Sequence, residues 1–532
     1  MSAAIPNSLL PQIMVECRCR NQLLQALMLH SKNVNNMKIR YMMMLFALLL
    51  SSSCTDQLEL IPPSNATTIV FYKSESDFLQ AINSVYADLK SYPTRVLDLS
   101  ETRSDNIYGV SDDGKRYWDE INNFSPGLAA NSKVLSSWSD NYSGIFKANT
   151  LLDQLSKNGA EVLNEPLRLR LEAEGRFLRA FYYFDLVRSF GKVPLIDRVM
   201  TAVEAENTSQ SKAEDIYALI IEDLKFASEN LPEAYNANMV GHATRYAAKG
   251  ILALVYMTRS GPSYGIEGPG LGTDEWSLAA TLLDDIIKSE KFRLLDTYDE
   301  IFAYDNENNA EVIFDVQYIS GGLGLGGEYP SLFLPDLYVQ QIAGFAGGVM
   351  VRPPSADLLS TYPAEDNRKT FAVQEGYTVG GRYDARPLLV KYIDAAKRGT
   401  RWTDWPLNFI VLRYTDIVLL RAECTLNGAS GSQEDVITFV NDVKRRANIP
   451  LVTAVDLDGL LAERRREFIG EGLRWHDLVR SGKAIDLLNR WSTIEDNEGA
   501  MNQMKADYII YPIPQTELNI NPDLYEQNEG YN

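Results

Sequence analysis

Hydrophobic residues recur along most of this chain at intervals of three and four, the spacing of an amphipathic helix. In residues 167–188 this spacing aligns Leu171, Leu178 and Phe181, with Pro166 before the segment and Gly191 after it. The same spacing predicts further helices at 78–89, 134–155, 212–231, 244–257, 275–291, 409–426, 435–447 and 460–488. The strand-like runs are 311–318 and 507–511. The pattern therefore predicts a mostly α protein with a few short strands.

The segment from about 311 to 406 has a different character. It is rich in Gly, Pro and aromatic residues and shows little periodicity, which favours long ordered loops, where binding residues are often placed. We divide the chain into a helical part (about 54–310), this loop-rich part (about 311–406) and C-terminal helices with a tail (about 407–532). The paired helices resemble tetratricopeptide-like repeats, but no clean 34-residue self-similarity occurs, so any repeats are degenerate.

Residues 37–54 have the pattern of a lipoprotein export signal. Lys38 and Arg40 precede the apolar run 41–50, and three serines lead to Cys54. Ten apolar residues are too few to span about 30 Å of hydrocarbon. We therefore predict a signal peptide at 37–53 and lipidation of Cys54, which would anchor the protein through acyl chains. An ordinary secretory signal without the anchor is the alternative.

Residues 1–36 precede this signal. We interpret them as an N-terminal extension arising from a misassigned start, with Met37 as the initiator.

Charge and cysteine content exclude several classes of function. Residues 1–53 hold five basic and one acidic residue, so the remainder has 46 basic and 70 acidic residues and a net charge of −24. Such a chain repels nucleic acid and anionic headgroups. Cys424 is the one cysteine after Cys54, so no intrachain disulfide or thiolate cluster can form there, and the chain has three histidines in all. We expect no cofactor and no metal.

Two catalytic patterns fail on their context. Gly322–Gly327 matches GxGxxG, but Pro330 and Pro335 forbid the helix that a dinucleotide site requires. Gly261–Gly265 matches GxSxG, but it follows a predicted helix instead of a strand.

Carboxylates are abundant enough to include a glycosidase pair, so a glycoside hydrolase on a helical scaffold stays an alternative. The prominent acids Glu463, Glu467 and Glu471 lie four residues apart among arginines. This spacing is typical of ion pairs within one helix.

Several segments resemble the SusD/RagB family. Residues 463–480 (ERRREFIGEGLRWHDLVR) are similar to its ERRxEfxxEGxRWxDLvR helix, and residues 511–531 (YPIPQTELNINPDLYEQNEGY) are similar to its ending. Residues 173–195 (AEGRFLRAFYYFDLVRSFGKVPL) resemble an internal block, and 244–256 and 411–426 resemble two further helices. The likeness runs from about Cys54 to the end of the chain.

This resemblance implies a fold, a location and a function. The fold would be SusD-like, with degenerate tetratricopeptide-like helix pairs supporting a loop-rich ligand-binding face. The protein would be anchored by lipid in the outer membrane, facing the cell exterior. There it would bind oligosaccharides and deliver them without catalysis to a TonB-dependent, SusC-like transporter. A peptide ligand, as in RagB-like proteins, is the alternative.

Candidate ligand-binding residues come from the loops and not from the family motifs. Oligosaccharide binding favours exposed flat aromatics near polar side chains. The sequence offers two such groups and one isolated tyrosine: Tyr117 and Trp118; Arg401, Trp402, Asp404 and Trp405; and Tyr329.

Overall fold

The helices indicated by the hydrophobic pattern form most of the structure, a computed structural model that describes residues 71–109, 116–344, 352–520 and 522–531. The predicted signal peptide and Cys54 lie outside these ranges. Helices of the N-terminal half are α1 (Glu75–Ala87), α2 (Tyr92–Val96), α3 (Tyr117–Asn122), α4 (Ser132–Lys157), α5 (Gly159–Val162), α6 (Glu165–Phe190), α7 (Ala202–Glu206), α8 (Ala213–Asn230), α9 (Arg245–Ser260) and α10 (Trp276–Lys288). Two short strands, β1 (Val193–Pro194) and β2 (Gln210–Ser211), pair antiparallel between α6 and α8.

Helix α6 shows how local sequence sets these elements. The Asn164 side chain accepts a hydrogen bond from the Leu167 N–H at 3.0 Å, and Pro166 occupies the first turn. Gly191, at a φ of 70°, follows the last helical residue. In its second half the helix is buried on almost every side, because α4 and α8 pack against it from two directions.

The loop-rich part contains short elements only. They are β3 (Val312–Val316), α11 (Asp336–Ala343), α12 (Ala356–Ser360), α13 (Asn367–Ala372), β4 (Val373–Gln374), β5 (Tyr377–Val379), β6 (Arg382–Asp384) and β7 (Leu388–Leu389). The C-terminal part then adds β8 (Phe409–Arg413), α14 (Tyr414–Leu426), α15 (Gln433–Arg446), α16 (Leu457–Glu467), α17 (Arg474–Arg480), α18 (Ala484–Glu495) and α19 (Gln515–Ile520).

Successive long helices pack against one another in a continuous series. The pairs in contact are α4 with α6, α6 with α8, α8 with α9, α9 with α10, α10 with α14 and α14 with α15. This stacking of helix pairs confirms the prediction of a mostly α fold with few short strands. None of the described helices is both long and apolar enough to cross a membrane.

Two predictions of secondary structure are wrong near the C-terminal part. Phe409–Arg413 forms strand β8 instead of the start of a helix, because it pairs antiparallel with β3, with Phe409 opposite Val316. Residues 507–511 do not form a strand; Ala506–Ile509 is a single 3₁₀ turn. Tyr508 and Ile509 are buried there, so their apolar character reflects packing and not a sheet.

The single helix predicted at 460–488 is also wrong, since the chain breaks it into α16, α17 and α18. Gly470 and Gly472 adopt φ values of 75° and 76°, which interrupt the helix. The buried Glu101 carboxylate accepts the N–H groups of both glycines, at 2.8 and 3.0 Å. A distant acid therefore stabilises the bend between α16 and α17.

The carboxylates of α16 and the following bend pair mainly with other elements and not within their own helix. Glu467, fully buried, accepts hydrogen bonds from Arg368 (2.9 Å), Arg413 (2.9 Å) and Arg446 (2.5 Å). These arginines come from α13, β8 and α15. Burial raises the pKa of Glu467, but the three guanidinium groups outweigh burial and hold the pKa below its ordinary value. The expectation of intrahelical pairs holds in part for Glu463, which pairs with Arg466 at 2.7 Å and also with Arg368 of α13 at 2.6 Å. It is wrong for Glu467 and for Glu471, which pairs with Lys391 at 2.6 Å and with Arg413 at 2.9 Å.

Glu467→Gln should lower the free energy of unfolding by about 3–5 kcal/mol, because it leaves buried guanidinium charge without its counter-ion. Urea denaturation followed by circular dichroism measures this change. The matched control is Glu365→Gln, an exposed acid near α13, which should change stability by no more than about 0.5 kcal/mol. Equal effects of the two substitutions would contradict the structural role of Glu467.

Candidate functional site

Two neighbouring cavities occupy the face formed by the end of α1, the turn Asp88–Ser91, α4 and the loop after β3. Lys90 and Tyr318 line both cavities. We call the larger one the tyrosine pocket and the smaller one the acidic cleft. Because they share wall residues, the two cavities are adjacent.

The tyrosine pocket has a volume of about 730 Å³ and takes its name from Tyr86, Tyr304 and Tyr318. The Tyr318 hydroxyl donates to the Lys90 carbonyl at 2.6 Å, and the Tyr304 hydroxyl donates to the Tyr392 carbonyl at 2.8 Å. The Tyr86 hydroxyl accepts the Ala243 N–H at 2.9 Å. Each polar tip is thus bonded to the backbone, which fixes the rings. Tyr86 and Tyr304 are half-buried, whereas Tyr318 is buried.

One wall of the tyrosine pocket carries an oriented histidine. His242 Nδ1 lies 2.6 Å from Glu174 Oε2, and the His242 ring packs on Tyr86 with centroids 4.8 Å apart. Glu174 is fully buried and also accepts from Arg170 at 3.0 Å and Tyr235 at 3.2 Å. These bonds fix the orientation of the imidazole at the pocket wall.

Two acids, Asp315 and Glu307, also line the tyrosine pocket. Burial raises the pKa of the Asp315 carboxyl to about 7, against the smaller opposing effect of a hydrogen bond from Gln317 Nε2 at 2.6 Å. Burial likewise raises the pKa of Glu307, whose carboxylate accepts the Asn408 N–H at 2.6 Å. Near neutral pH the inner wall therefore carries less negative charge than two ordinary carboxylates would.

The acidic cleft has a volume of about 500 Å³ and is lined by Asp88, Asp140 and Glu328, with hydroxyl side chains between them. Asp88 accepts from Lys147 at 2.5 Å and from Ser143 at 3.0 Å. The cleft therefore offers carboxylate and hydroxyl groups, and its lining is less apolar than that of the tyrosine pocket.

Residues 319–327 form a glycine-rich loop over both cavities. The Ile319 N–H donates to the Leu325 carbonyl at 3.1 Å and closes the loop, and Lys90 Nζ donates to the Gly324 carbonyl. Leu325 lines the tyrosine pocket, whereas Gly326 lines the acidic cleft. Ile319, Leu323 and Leu325 are exposed, with Leu323 at 77%. This loop contains the GxGxxG match, and the next α-helix, α11, begins only at Asp336, so the rejection of a dinucleotide site is confirmed.

The GxSxG match is likewise placed in a turn that follows α9, with no strand before Ser263, so the rejection of a nucleophile elbow is also confirmed. Within the described residues, no group of three or more His, Cys, Asp or Glu side chains is arranged to hold a metal ion.

Three aromatics that the sequence offered as exposed platforms are buried, so the expectation of exposure is wrong for them. Trp118 packs under the Arg352 guanidinium, 5.0 Å from the ring centroid. Trp405 lies in a small apolar cluster with Leu334 and Tyr338. The Tyr329 hydroxyl donates to the carbonyls of residues 407 and 408, at 3.1 and 3.0 Å. These rings hold the loops in place because large aromatics in a loop-rich region supply its core.

Three other predicted residues remain accessible. Trp402 and Tyr117 are half-buried, and Arg401 is exposed. Tyr117 lies below Lys133, whose Nζ is 4.9 Å from the ring centroid. The residues that line the two cavities do not include these three. They stay proposed ligand contacts that lie outside the two cavities.

Asp404, the remaining candidate, is buried and bonds to loop backbone. Its Oδ2 accepts the N–H groups of Gly322 at 3.1 Å, Thr400 at 3.2 Å and Gly321 at 3.3 Å. Burial raises the pKa of Asp404, but these backbone donors outweigh it and leave the pKa below its usual value. A Cβ on Gly326 would lie 2.4 Å from the Asp404 Cα, so only glycine fits this close approach. Asp404 therefore fixes the glycine-rich loop, and the structure does not support a direct ligand contact.

Sequence reasoning missed the residues that form the tyrosine pocket. Asp315 had a local signal, since it is an acid inside the apolar run of β3. Tyr86 and Tyr304 had none, because one belongs to a helix and the other to a loop far along the chain.

Comparison with known proteins shows that this chain is similar to SusD-like proteins, several of which are named for glycan binding. Residues 57–257 match a family profile described as "Starch-binding associating with outer membrane", and residues 364–531 match the SusD family profile. A SusD-like protein of Bacteroides ovatus is 27% identical over 511 residues, which cover 88% of this chain and 90% of that protein.

Solved structures of glycan-binding proteins are similar to this chain in fold. Surface glycan-binding protein A from Bacteroides uniformis has a TM-score of 0.73 at 25% identity, covering 86% of this chain and 100% of its own. A laminarin binding SusD-like protein has a TM-score of 0.70 at 26% identity, with the same coverage of both chains.

Asp404→Asn should release the glycine-rich loop, because an amide replaces a carboxylate that accepts three backbone N–H groups. We expect amide hydrogen exchange at 319–327 to become about tenfold faster or more, corresponding to roughly 1–3 kcal/mol. Hydrogen exchange mass spectrometry measures this. Arg401→Ala, an exposed change in the segment that contains Asp404, is the control and should leave the exchange at 319–327 unchanged. Unchanged exchange at 319–327 in Asp404→Asn would contradict the role assigned to Asp404.

Proposed function

We propose that this chain, which belongs to the SusD-like family, binds oligosaccharides at the bacterial surface and passes them to a TonB-dependent, SusC-like outer-membrane transporter without chemical change. The transporter comes from the family resemblance. The ligand class is supported by the site itself and by relatives whose names specify glycan, starch or laminarin.

The tyrosine pocket is the single observation that carries the ligand class. A sugar presents apolar C–H faces with hydroxyl groups around its rim, so it needs flat apolar surface next to hydrogen-bonding groups. The anchored, half-buried rings of Tyr86 and Tyr304 supply that surface, and Asp315 and His242 line the same pocket. A cavity of about 730 Å³ is within the usual range for small-molecule sites, about 300–1,000 Å³.

We also propose that the protein does not cleave the oligosaccharides that it binds. A glycosidase requires two carboxylates flanking the bond to be broken, one of them an acid with a raised pKa. Asp315 and Glu307 are both buried or half-buried in the wall, and each already accepts a hydrogen bond from the protein. We therefore assign them to the shape and charge of the pocket. Release of reducing sugar from any bound oligosaccharide would overturn this assignment.

Tyr304→Ala should weaken oligosaccharide binding by about tenfold, because it removes one ring face from the pocket. Tyr304→Phe keeps the ring and loses only the bond to the Tyr392 carbonyl, so its affinity should stay within about threefold of the wild type. Isothermal titration with maltohexaose, laminarihexaose and a peptide panel measures these affinities.

The titration also separates the alternatives. Binding of peptides but of no glycan would replace the proposed ligand class with a RagB-like one. Equal affinity of Tyr304→Ala and Tyr304→Phe would move the site away from the tyrosine pocket.

Lipid anchoring is the second part of the proposal, and the profile matched by residues 57–257 supports an association with the outer membrane. Cys54→Ala should abolish incorporation of labelled palmitate and move the protein from the membrane fraction to the soluble fraction. Cys424→Ala is the control, since this buried thiol has no place in lipid attachment. Incorporation of label into Cys54→Ala would contradict the assigned anchor.

A further inference from the structure

A third cavity lies in the C-terminal part of the chain, between α15, α16 and the segment 447–456 that joins them. Its volume is about 410 Å³, within the usual range for small-molecule sites, about 300–1,000 Å³. The residues that line it do not overlap with those of the tyrosine pocket or the acidic cleft. We call it the valine cavity and treat it as a separate feature of the molecule.

The apolar wall of the valine cavity consists of Val440, Val452 and Val455, and hydrogen bonds fix its position. The Asn441 side chain accepts the Val452 N–H and donates to the Val452 carbonyl, both at 2.9 Å. Gln433 Nε2 donates to the Val455 carbonyl at 2.6 Å. The segment that carries two of the three valines is therefore held in place without a ligand.

The polar wall contains a buried ammonium group that lacks a hydrogen-bond acceptor. Lys444 lines the cavity and is only 8% exposed. The Glu463 carboxylate lies 3.6 Å from Lys444 Nζ, which is too long for a hydrogen bond. Within the described ranges, no other carboxylate lies within 4 Å of Nζ and no group accepts a hydrogen bond from it. Because a buried charge is costly without such bonds, the N–H donors of Lys444 suit an acceptor inside the cavity.

The acids that line the valine cavity do not meet this need. Glu463 Oε2 accepts a hydrogen bond from Arg466 at 2.7 Å, and its Oε1 accepts one from Arg368 at 2.6 Å, so one carboxylate serves several cations. Asp456 also lines the cavity, but it is exposed and its side chain caps the first turn of α16. Water screens this exposed acid, so it opposes an incoming anion less than a buried acid would. The polar wall therefore favours an anion beside Lys444 and Arg466.

We propose that the valine cavity is a second binding site, for a small molecule that joins one carboxylate to a short aliphatic chain. The carboxylate accepts hydrogen bonds from Lys444 next to the Arg466 guanidinium, and such charge-assisted bonds are stronger than neutral ones. The aliphatic chain packs on the three valines and leaves water. An inorganic anion would satisfy only the polar wall, and a neutral aliphatic molecule would satisfy only the apolar wall.

Four small molecules separate these two requirements. Isothermal titration of the full chain uses hexanoate, its uncharged analogue hexanamide, acetate and inorganic phosphate. Hexanoate should bind at least about tenfold more tightly than each of the other three, because it alone has both the charge and the chain. Equal affinity for hexanamide would remove the role of charge, and equal affinity for acetate or phosphate would remove the role of the valines. Either result, or no binding of hexanoate, would overturn the proposal.

Lys444→Met tests the polar wall, since it keeps most of the aliphatic stem and removes the ammonium group. It should weaken hexanoate binding by about tenfold or more, towards the affinity of hexanamide. The control is Lys483→Met, a lysine that pairs with Asp458 and does not line the cavity, and it should bind hexanoate like the wild type. Wild-type affinity for hexanoate in Lys444→Met would overturn the proposal.

A second pair of variants tests the location of the site without changing a buried group. Ala454 and Thr453 are exposed neighbours, and only Ala454 lines the valine cavity. Ala454→Trp should obstruct the cavity and weaken hexanoate binding by about tenfold, whereas Thr453→Trp should leave it unchanged. Equal hexanoate affinities of the two variants would place the ligand elsewhere and overturn the proposal, even if Lys444→Met failed to fold.

The valine cavity is independent of the proposed oligosaccharide site. Saturating hexanoate should leave the affinity for oligosaccharide unchanged within about twofold. Displacement of oligosaccharide by hexanoate would place hexanoate at the other two cavities and overturn this proposal. A chain that binds no glycan but binds hexanoate as described would overturn the proposed function alone.

Discussion

Paired burial of charge is the constraint on which the rest of the structure depends. A carboxylate or guanidinium group removed from water is costly unless an opposite charge and good hydrogen bonds accompany it. In this protein the Glu467 carboxylate accepts hydrogen bonds from three arginines, which belong to α13, β8 and α15. A second cluster joins Arg464 to Asp416 and Asp477, and a third joins Arg474 to Asp105. Each cluster is satisfied only when elements distant in sequence are in their native positions, so these charges specify the arrangement as well as stabilising it.

These buried ion pairs also explain how the face that carries the two cavities keeps its shape, although it contains little regular structure. Strand β8 carries Arg413 into the Glu467 cluster and pairs on its other side with β3. Strand β3 contains Asp315, and the chain then continues through Tyr318 into the glycine-rich loop. Asp404 and the buried rings of Trp405 and Tyr329 fix the loops from below. The residues proposed to face the ligand are thus held by a strand that is itself held by buried ion pairs.

The sequence predicted the helical scaffold well because periodicity is a local signal. Helices α4, α6 and α8 have bounds within a few residues of the predicted ranges. Errors occurred where a distant partner decides the structure. Phe409–Arg413 is a strand because β3 lies beside it, and 460–488 is broken because Glu101 accepts the Gly470 and Gly472 amides.

Prediction of the site had the same weakness. Trp118 and Trp405 lie in segments whose composition is typical of exposed sugar-binding aromatics. Tertiary contacts that the sequence pattern does not indicate bury both of them. Tyr86, Tyr304 and Tyr318 meet only in the folded chain.

The bonded hydroxyls of the tyrosine pocket have a kinetic consequence. Rings that are already immobile lose little conformational entropy when a sugar arrives, so encounter need not wait for a rearrangement of the protein. An open concave surface also leaves much of the cargo in contact with water, which allows rapid departure. Fast binding combined with short residence is what the proposed transfer of oligosaccharide to a transporter requires, because a ligand held too tightly would not be released to it.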